Sequence, residues 1–380
     1  MRIAIVTPNP VTFPGGAEKV TAALVDVLVT AGYDVEVFDR TRIGKGEATR
    51  GLLQPKLFGD FVLAHQLGSA FNRERARFDL VICNGMFGWN VSAPRVIAIA
   101  HGTIGGYLRA TGTSVGLFAY FKMRTLDTWF HNLSFRNRTV VAVSGRAAEE
   151  CRAYHGVKRT AVIGNPVDID RFGPAPDRVA LRRALGLPED EFLGLYCGRP
   201  VFMKGVDVLR ELLPMLPAGH RMVAALPSGS VDAPNLIARV GVPHDEMPAL
   251  YAACDYLFFP TRYEGASLVL AEALATGLPV LTTRAGTGTD LAGDDLLGRF
   301  IHDDDRADRY RADIEALAAD PALRSELGNR GRDWIHRNCS PQAFAHAYLE
   351  LVEAELTGAE LTDADRAGGE SQQRHGPTRS

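Results

Sequence analysis

Two clusters in this chain have residue types and spacing suited to gripping an anion. In the first, Arg199 and Lys204 lie within the loop GRPVFMKG (198–205), directly after the apolar run FLGLYC. Open α/β sheets bind ligands at the C-terminal edges of their strands, and two cations on a loop there can clamp two phosphates. A surface basic pair is the plainer alternative. The second cluster is the stretch 254–283, CDYLFFPTRYEGASLVLAEALATGLPVLTT. It reads as a buried strand, a loop carrying Glu264, and a helix that Ser267 caps and Gly277 with Pro279 stops. Glu272 falls on the second turn of that helix among apolar neighbours. A carboxylate there is costly unless it finds donors, which ribose hydroxyls or a basic neighbour would supply. The backbone amides of Gly265, Ala266, Ser267 and Leu268, at the helix start, offer a second anion site.

Two further candidates lie nearer the N-terminus. Gly15 and Gly16 precede a helix opening at Ala17, where glycines let a charged group approach backbone N–H donors. The loop is not the GxGxxG of dinucleotide binding, and a flexible turn is the bland reading. His101, followed by Gly102, ends the run RVIAIA at another strand edge, a position compatible with a cleft role as well as a structural one. The run Asp303-Asp304-Asp305 has no histidine partners and is expected to be a solvated turn, so no metal is expected. Residues 117–138 mix six aromatics with four Lys/Arg; they suit an anionic membrane, an acceptor that packs on aromatic rings, or an ordinary amphipathic core helix.

The elements needed to position these residues are legible as alternation. Strand-like runs at 2–7, 34–38, 79–83, 95–100 and 139–143 are separated by helix-length segments, among them a stripe from Val20 to Ala31 closed by Gly32. The pattern restarts at 192–197 and continues through 221–225, 255–259 and 279–283. Parallel sheets with helical crossovers follow, in two domains joined across the Pro-rich stretch 164–178. The expected boundaries are 1–168 and 169–356, with the last helix able to return to the first domain and a disordered tail at 357–380.

Composition sets the outer limits. At 380 residues the chain exceeds one ordinary core, and with 46% hydrophobic and 23% charged residues it is neither disordered nor membrane-spanning. The N-terminus lacks a signal-peptide h-region, and the five cysteines are scattered and odd in number, so a cytoplasmic protein with bland thiols is expected, in peripheral contact with a membrane if residues 117–138 touch one. Net charge is −3 but uneven: 20 basic to 12 acidic residues over 1–163, and 22 to 33 over 164–380. The first half is therefore suited to an anionic surface; no nucleic-acid partner is expected.

Taken together, GGAE (15–18), HG (101–102), VSG (143–145), GNPVD (164–168), GRPVFMKG (198–205) and EGASLVLAE (264–272) resemble the retaining nucleotide-sugar glycosyltransferases of family 4 (glycosyl transferases group 1). The resemblance implies the GT-B architecture, an α/β fold of two facing Rossmann-like domains with mostly parallel sheets and an interdomain cleft. It implies that Arg199 and Lys204 bind the donor diphosphate, Glu272 the ribose and Glu264 the transferred sugar, with the amides of Gly265, Ala266, Ser267 and Leu268 reaching sugar and phosphate. Gly15 and Gly16 would close on the donor, His101 would line the reaction centre, and Val240 would contact the base through its backbone. The chain departs from the family's EGFG and NGVD patterns at Ala266-Ser267 and Pro166.

The implied reaction needs no metal, no cofactor and no covalent nucleophile: prepositioned cations and amides stabilise the diphosphate as it leaves, and the sugar keeps its anomeric configuration. UDP is the expected base over GDP or ADP. The acceptor is a hydroxyl on a lipid-linked saccharide, a growing polysaccharide, or a small soluble molecule such as an aminocyclitol or antibiotic core. A glycoside hydrolase has no use for phosphate-type loops. A nucleotide-sugar epimerase of the same architecture and a non-catalytic binding protein are the competing readings.

Overall fold

Short runs of aliphatic residues buried on both faces form the strands, as parallel sheets require. The computed structural model describes residues 1–13, 15–43 and 59–359. Strands β1 (Arg2–Val6), β2 (Asp34–Phe38), β3 (Leu80–Asn84), β4 (Val96–Ala100), β5 (Thr139–Ala142) and β6 (Arg159–Val162) make one sheet, ordered β2-β1-β3-β4-β5-β6. Strands β7 (Phe192–Cys197), β8 (His220–Leu226), β9 (Leu236–Val240), β10 (Tyr256–Phe259), β11 (Val280–Thr283) and β12 (Ile301–His302) make the other, ordered β12-β11-β10-β7-β8-β9. Every pairing is parallel. Together the two sheets define a two-domain α/β fold of the GT-B kind.

Register decides what each sheet presents at its edge. Val6 pairs with Cys83, so Thr7 and Asn84 emerge side by side from β1 and β3. Asn84 pairs in turn with Ile99 of β4, two residues before His101. In the second sheet Leu257 of β10 pairs with Leu195 of β7, which brings the loops after these two strands together. Each sheet reverses its strand order at such a pair, β1 with β3 and β7 with β10, and the gap outside a reversal is where α/β sheets hold ligands.

The chain divides into two compact units whose boundaries differ from those read in the sequence. The first takes Met1–His101, Leu126–Gly164 and the chain from Phe344 onward; the second takes Gly102–Thr125 and Asn165–Ala343. Segment 102–125 groups with the second unit, and Tyr263 of that unit binds both backbone groups of Thr103, accepting from its N–H at 2.5 Å and donating to its carbonyl at 2.8 Å. The closing helix Pro341–Thr357 lays Phe344, Tyr348, Leu351 and Val352 into buried positions and carries Glu355 to Thr139 and Arg159 at the base of β5 and β6. The tail expected from 357 falls almost wholly outside the described residues.

Candidate functional site

The loop after β7 is shaped by its own backbone. The Tyr196 hydroxyl shares its one proton between the carbonyls of Lys204 (3.1 Å) and Arg199 (3.3 Å), which folds the loop back over the strand end. Arg262, from the loop after β10, grips the same segment from the other side. Its guanidinium forks onto both oxygens of Asp207 (2.7 Å each), donates to the Phe202 carbonyl (2.5 Å) and stacks 3.8 Å above the Phe202 ring. Hydrogen bonding to Arg262 holds the Asp207 carboxyl below its usual pKa, so this fork stays charged.

Within that frame Lys204 and Glu264 meet as an ion pair, Nζ to Oε1, both largely shielded from solvent. The fully buried Thr261 hydroxyl lies 3.3 Å from the same carboxylate, with the Met203 carbonyl a nearer acceptor at 3.1 Å. The family resemblance implies separate ligand roles for these two residues; the structure couples them directly. Arg199 stays exposed, and its guanidinium meets no partner among the described residues. Beyond Glu264 the chain runs through Gly265 and Ala266 into the helix Leu268–Thr276, whose N-cap Ser267 accepts from the Leu270 amide at 3.3 Å. The amides of Ala266, Ser267 and Leu268 take no acceptor among the described residues, a cluster of donors at a helix N-terminus.

Glu272 is buried on that helix as expected, and one of its donors is a phenol. Tyr251 donates its hydroxyl to Oε2 at 2.9 Å. Burial raises the Tyr251 hydroxyl well above the usual phenol pKa, so it remains a donor at any ordinary pH. The phenol escaped sequence reading because it lies on the preceding helix, Met247–Ala253, and looks like a core aromatic.

In the first unit, His101 sits at the end of β4 with Nε2 3.2 Å from Asn84 Oδ1. The Asn84 amide donates to Thr7 Oγ1 (3.0 Å) and Thr21 Oγ1 (2.8 Å), and Thr21 donates to the Ala17 carbonyl (2.8 Å). Burial lowers the His101 pKa from 6.5 to about 4, against a smaller upward pull from Glu18, so the ring is neutral near pH 7. Asn84, Thr7 and Thr21 were not singled out in the sequence. The positional argument that selected His101 applies equally to Asn84, which closes DLVICN at the neighbouring strand edge.

The remaining candidates are dispersed. Gly16 opens the helix Gly16–Thr30, yet the space above Gly15 is already taken: a Cβ there would lie 2.0 Å from Glu18 Oε2. That carboxylate, bonded by Asn9 Nδ2 at 2.6 Å, occupies the place sequence reading offered to an anion. Val240 ends the edge strand β9 with its side chain 57% exposed, two strands out from β7. Asp303, Asp304 and Asp305 are solvent-facing to differing degrees and pair with Arg284, Arg309 and Arg262 respectively. Residues 117–138 are no single core helix. Leu117, Phe118, Phe121 and Trp129 are exposed, whereas Phe130 packs on Phe61 and Trp89, and Phe135 is buried. All five thiols are free, and burial pushes each up to about 12. No helix among the described residues is long and apolar enough to cross a membrane.

The family model described as Glycosyltransferase Family 4 matches residues 14–171, and the one described as Glycosyl transferases group 1 matches residues 235–334. The chain belongs to the group 1 / family 4 glycosyltransferases. It is 31% identical over 223 residues to the lipopolysaccharide core biosynthesis mannosyltransferase of Rhizobium meliloti, covering 53% of this chain and 61% of that protein. The matched region spans about half to three fifths of the curated relatives. Among solved structures, sucrose-phosphate synthase from Thermosynechococcus elongatus superposes with a TM-score of 0.77 at 19% identity, over 94% of this chain and all of that one. Anabaena HepE, solved in complex with UDP and glucose, gives 0.67 at 17% identity over 93% of this chain and 100% of its own.

Proposed function

We propose that this chain is a retaining glycosyltransferase that moves a sugar from a UDP-linked donor to a hydroxyl acceptor without a metal. The observation that carries the reading is the Lys204–Glu264 pair beside the open amides of Ala266, Ser267 and Leu268 at the β7/β10 reversal. Breaking the anomeric C–O bond builds negative charge on the departing diphosphate. Lys204, Arg199 and the helix amides are the preset donors for that charge, one such donor commonly being worth about 3 kcal/mol of barrier. Glu264 holds the ammonium in place before the donor arrives and accepts from the sugar hydroxyls afterwards. Glu272, held by the Tyr251 hydroxyl at Oε2, serves the ribose through its other oxygen, and Val240 offers its backbone to the base. In the first unit His101 acts on the sugar side. Retention follows from front-face attack, in which the leaving phosphate takes the acceptor proton.

The complex of HepE with UDP and glucose supports UDP as the base. A lipid-linked saccharide is the favoured acceptor, with residues 117–121 in peripheral contact with an anionic membrane. The exposed Leu117, Phe118 and Phe121 next to Lys122 and Arg124, and the relative in lipopolysaccharide core synthesis, support this choice.

Purified protein incubated with UDP-sugars tests the reading. Release of UDP that depends on acceptor, persists in EDTA and yields a product of unchanged anomeric configuration by NMR is expected. Release or isomerisation without acceptor points to an epimerase. Lys204→Ala should leave the circular dichroism spectrum unchanged and reduce transfer by at least roughly 100-fold. Normal turnover in that variant would sink the clamp.

A further inference from the structure

The hydrogen bonds behind His101 fix more than its position. Thr21 has one hydroxyl proton, and it goes to the Ala17 carbonyl, which can only accept. Thr21 Oγ1 must therefore accept from Asn84, so the group facing it at 2.8 Å is the amide NH2. That settles which way round the Asn84 side chain lies, a choice that amide geometry alone leaves open. Its second amide proton reaches Thr7 Oγ1 at 3.0 Å, and its oxygen is left facing His101 Nε2 at 3.2 Å. An amide oxygen cannot donate, so Nε2 carries the ring proton. All these groups belong to one unit, and Asn84, Thr7 and Thr21 are buried, which keeps water from substituting for any of the bonds. The other ring nitrogen, Nδ1, takes no partner among the described residues, and His101 as a residue is half-buried.

We propose that Asn84 is a positioning residue that holds His101 as the Nε2–H tautomer, so that Nδ1 presents a lone pair to a hydroxyl of the sugar or acceptor. The proposal rests on the reading of His101 as part of the reaction centre. The chain of dependence runs Ala17 carbonyl, Thr21 hydroxyl, Asn84 amide, His101 ring, from the first turns of the helix Gly16–Thr30 to the end of β4.

Nitrogen-15 NMR of the full chain labelled at histidine, with His101→Gln to assign the ring, reads the tautomer directly. In the unsubstituted protein a pyrrole-like Nε2 and a pyridine-like Nδ1 are expected. Asn84→Ala should turn this into a mixture of tautomers, and so should Thr21→Val, which keeps the side-chain shape if the alanine variant does not fold. In either variant kcat should fall by roughly tenfold, the worth of one hydrogen bond in the transition state, with KM for the donor changed by no more than about twofold. A pyridine-like Nε2 in the unsubstituted protein, or an unaltered tautomer in both variants, overturns the proposal. A shifted tautomer with unchanged kcat leaves the hydrogen-bond chain standing and overturns its part in transfer, which separates this failure from failure of the Lys204 clamp.

Discussion

Gly205 follows Lys204 with φ at 67°, and a Cβ placed on it would lie 2.2 Å from the Pro260 carbonyl oxygen. The loop after β7 can close against the end of β10 only because nothing projects there. Gly205→Ala should cost about 2 kcal/mol or more in denaturant unfolding, from left-handed strain together with the clash, and should impair transfer by displacing Lys204. A stability within error of the original would mean that the two loops separate without penalty. Tyr251 presents the opposite case, a side chain whose loss leaves a charge short of a donor. Tyr251→Phe should destabilise the second unit by about 1–3 kcal/mol, because Glu272 loses a buried hydrogen bond, and a thermal melt measures it.

Arg262 is the element-scale counterpart, since it ties the loop after β10 to the 3-10 turn Phe202–Lys204, to Asp207 at the next helix start and to Asp305 beyond β12. Arg262→Met keeps the stem but unhooks all three. It should cost only about 1 kcal/mol in stability, because Asp207 is half exposed, yet the melting-temperature rise on adding UDP should shrink markedly. An undiminished rise would show that the loop holds its shape unaided. The central strands and the capped helix Leu268–Thr276 were legible in the sequence because burial on both faces and the Ser267…Gly277 punctuation are local signals. Strands β6, with Arg159 and Thr160 in only four residues, and β12, with two residues, carry too little apolar periodicity to register. The partners of site residues were illegible for another reason. Tyr251, Asn84, Thr261 and Arg262 are ordinary residues until folding sets them against Glu272, His101, Glu264 and Asp207, and spacing along the chain does not encode those meetings.

At the scale of the molecule, the first unit carries an acid-sensitive set of histidines. Burial lowers the pKa of His101 and of His155 to about 4, and it lowers that of His131 as well. A folded-state value below the unfolded 6.5 means that the unfolded chain takes up protons first as pH falls. The stability tied to these neutral rings is thus intact above about pH 6.5 and is lost progressively toward pH 4. Each of the two larger shifts is worth on the order of 2 kcal/mol after allowing for the solvent that reaches the ring. The first unit should therefore unfold before the second between those pH values. Trp89 and Trp129 report on it and Trp334 on the second, so fluorescence of a Trp334→Phe variant follows the first unit alone. Transitions that coincide for both reporters at pH 5 would contradict this order.

The helix Pro341–Thr357, most of which belongs to the first unit although the second unit's Asn165–Ala343 precedes it in sequence, imposes a schedule on biosynthesis. As the polypeptide leaves the ribosome, strands β1–β6 emerge early, whereas this helix follows only after the second unit has been made. The intervening unit can mature in the meantime, because all its segments are already out. A nascent chain stalled before residue 344 would leave the first unit without Phe344, Tyr348, Leu351 and Val352, side chains buried in the finished fold, and that is the stage at which a chaperone has something to hold.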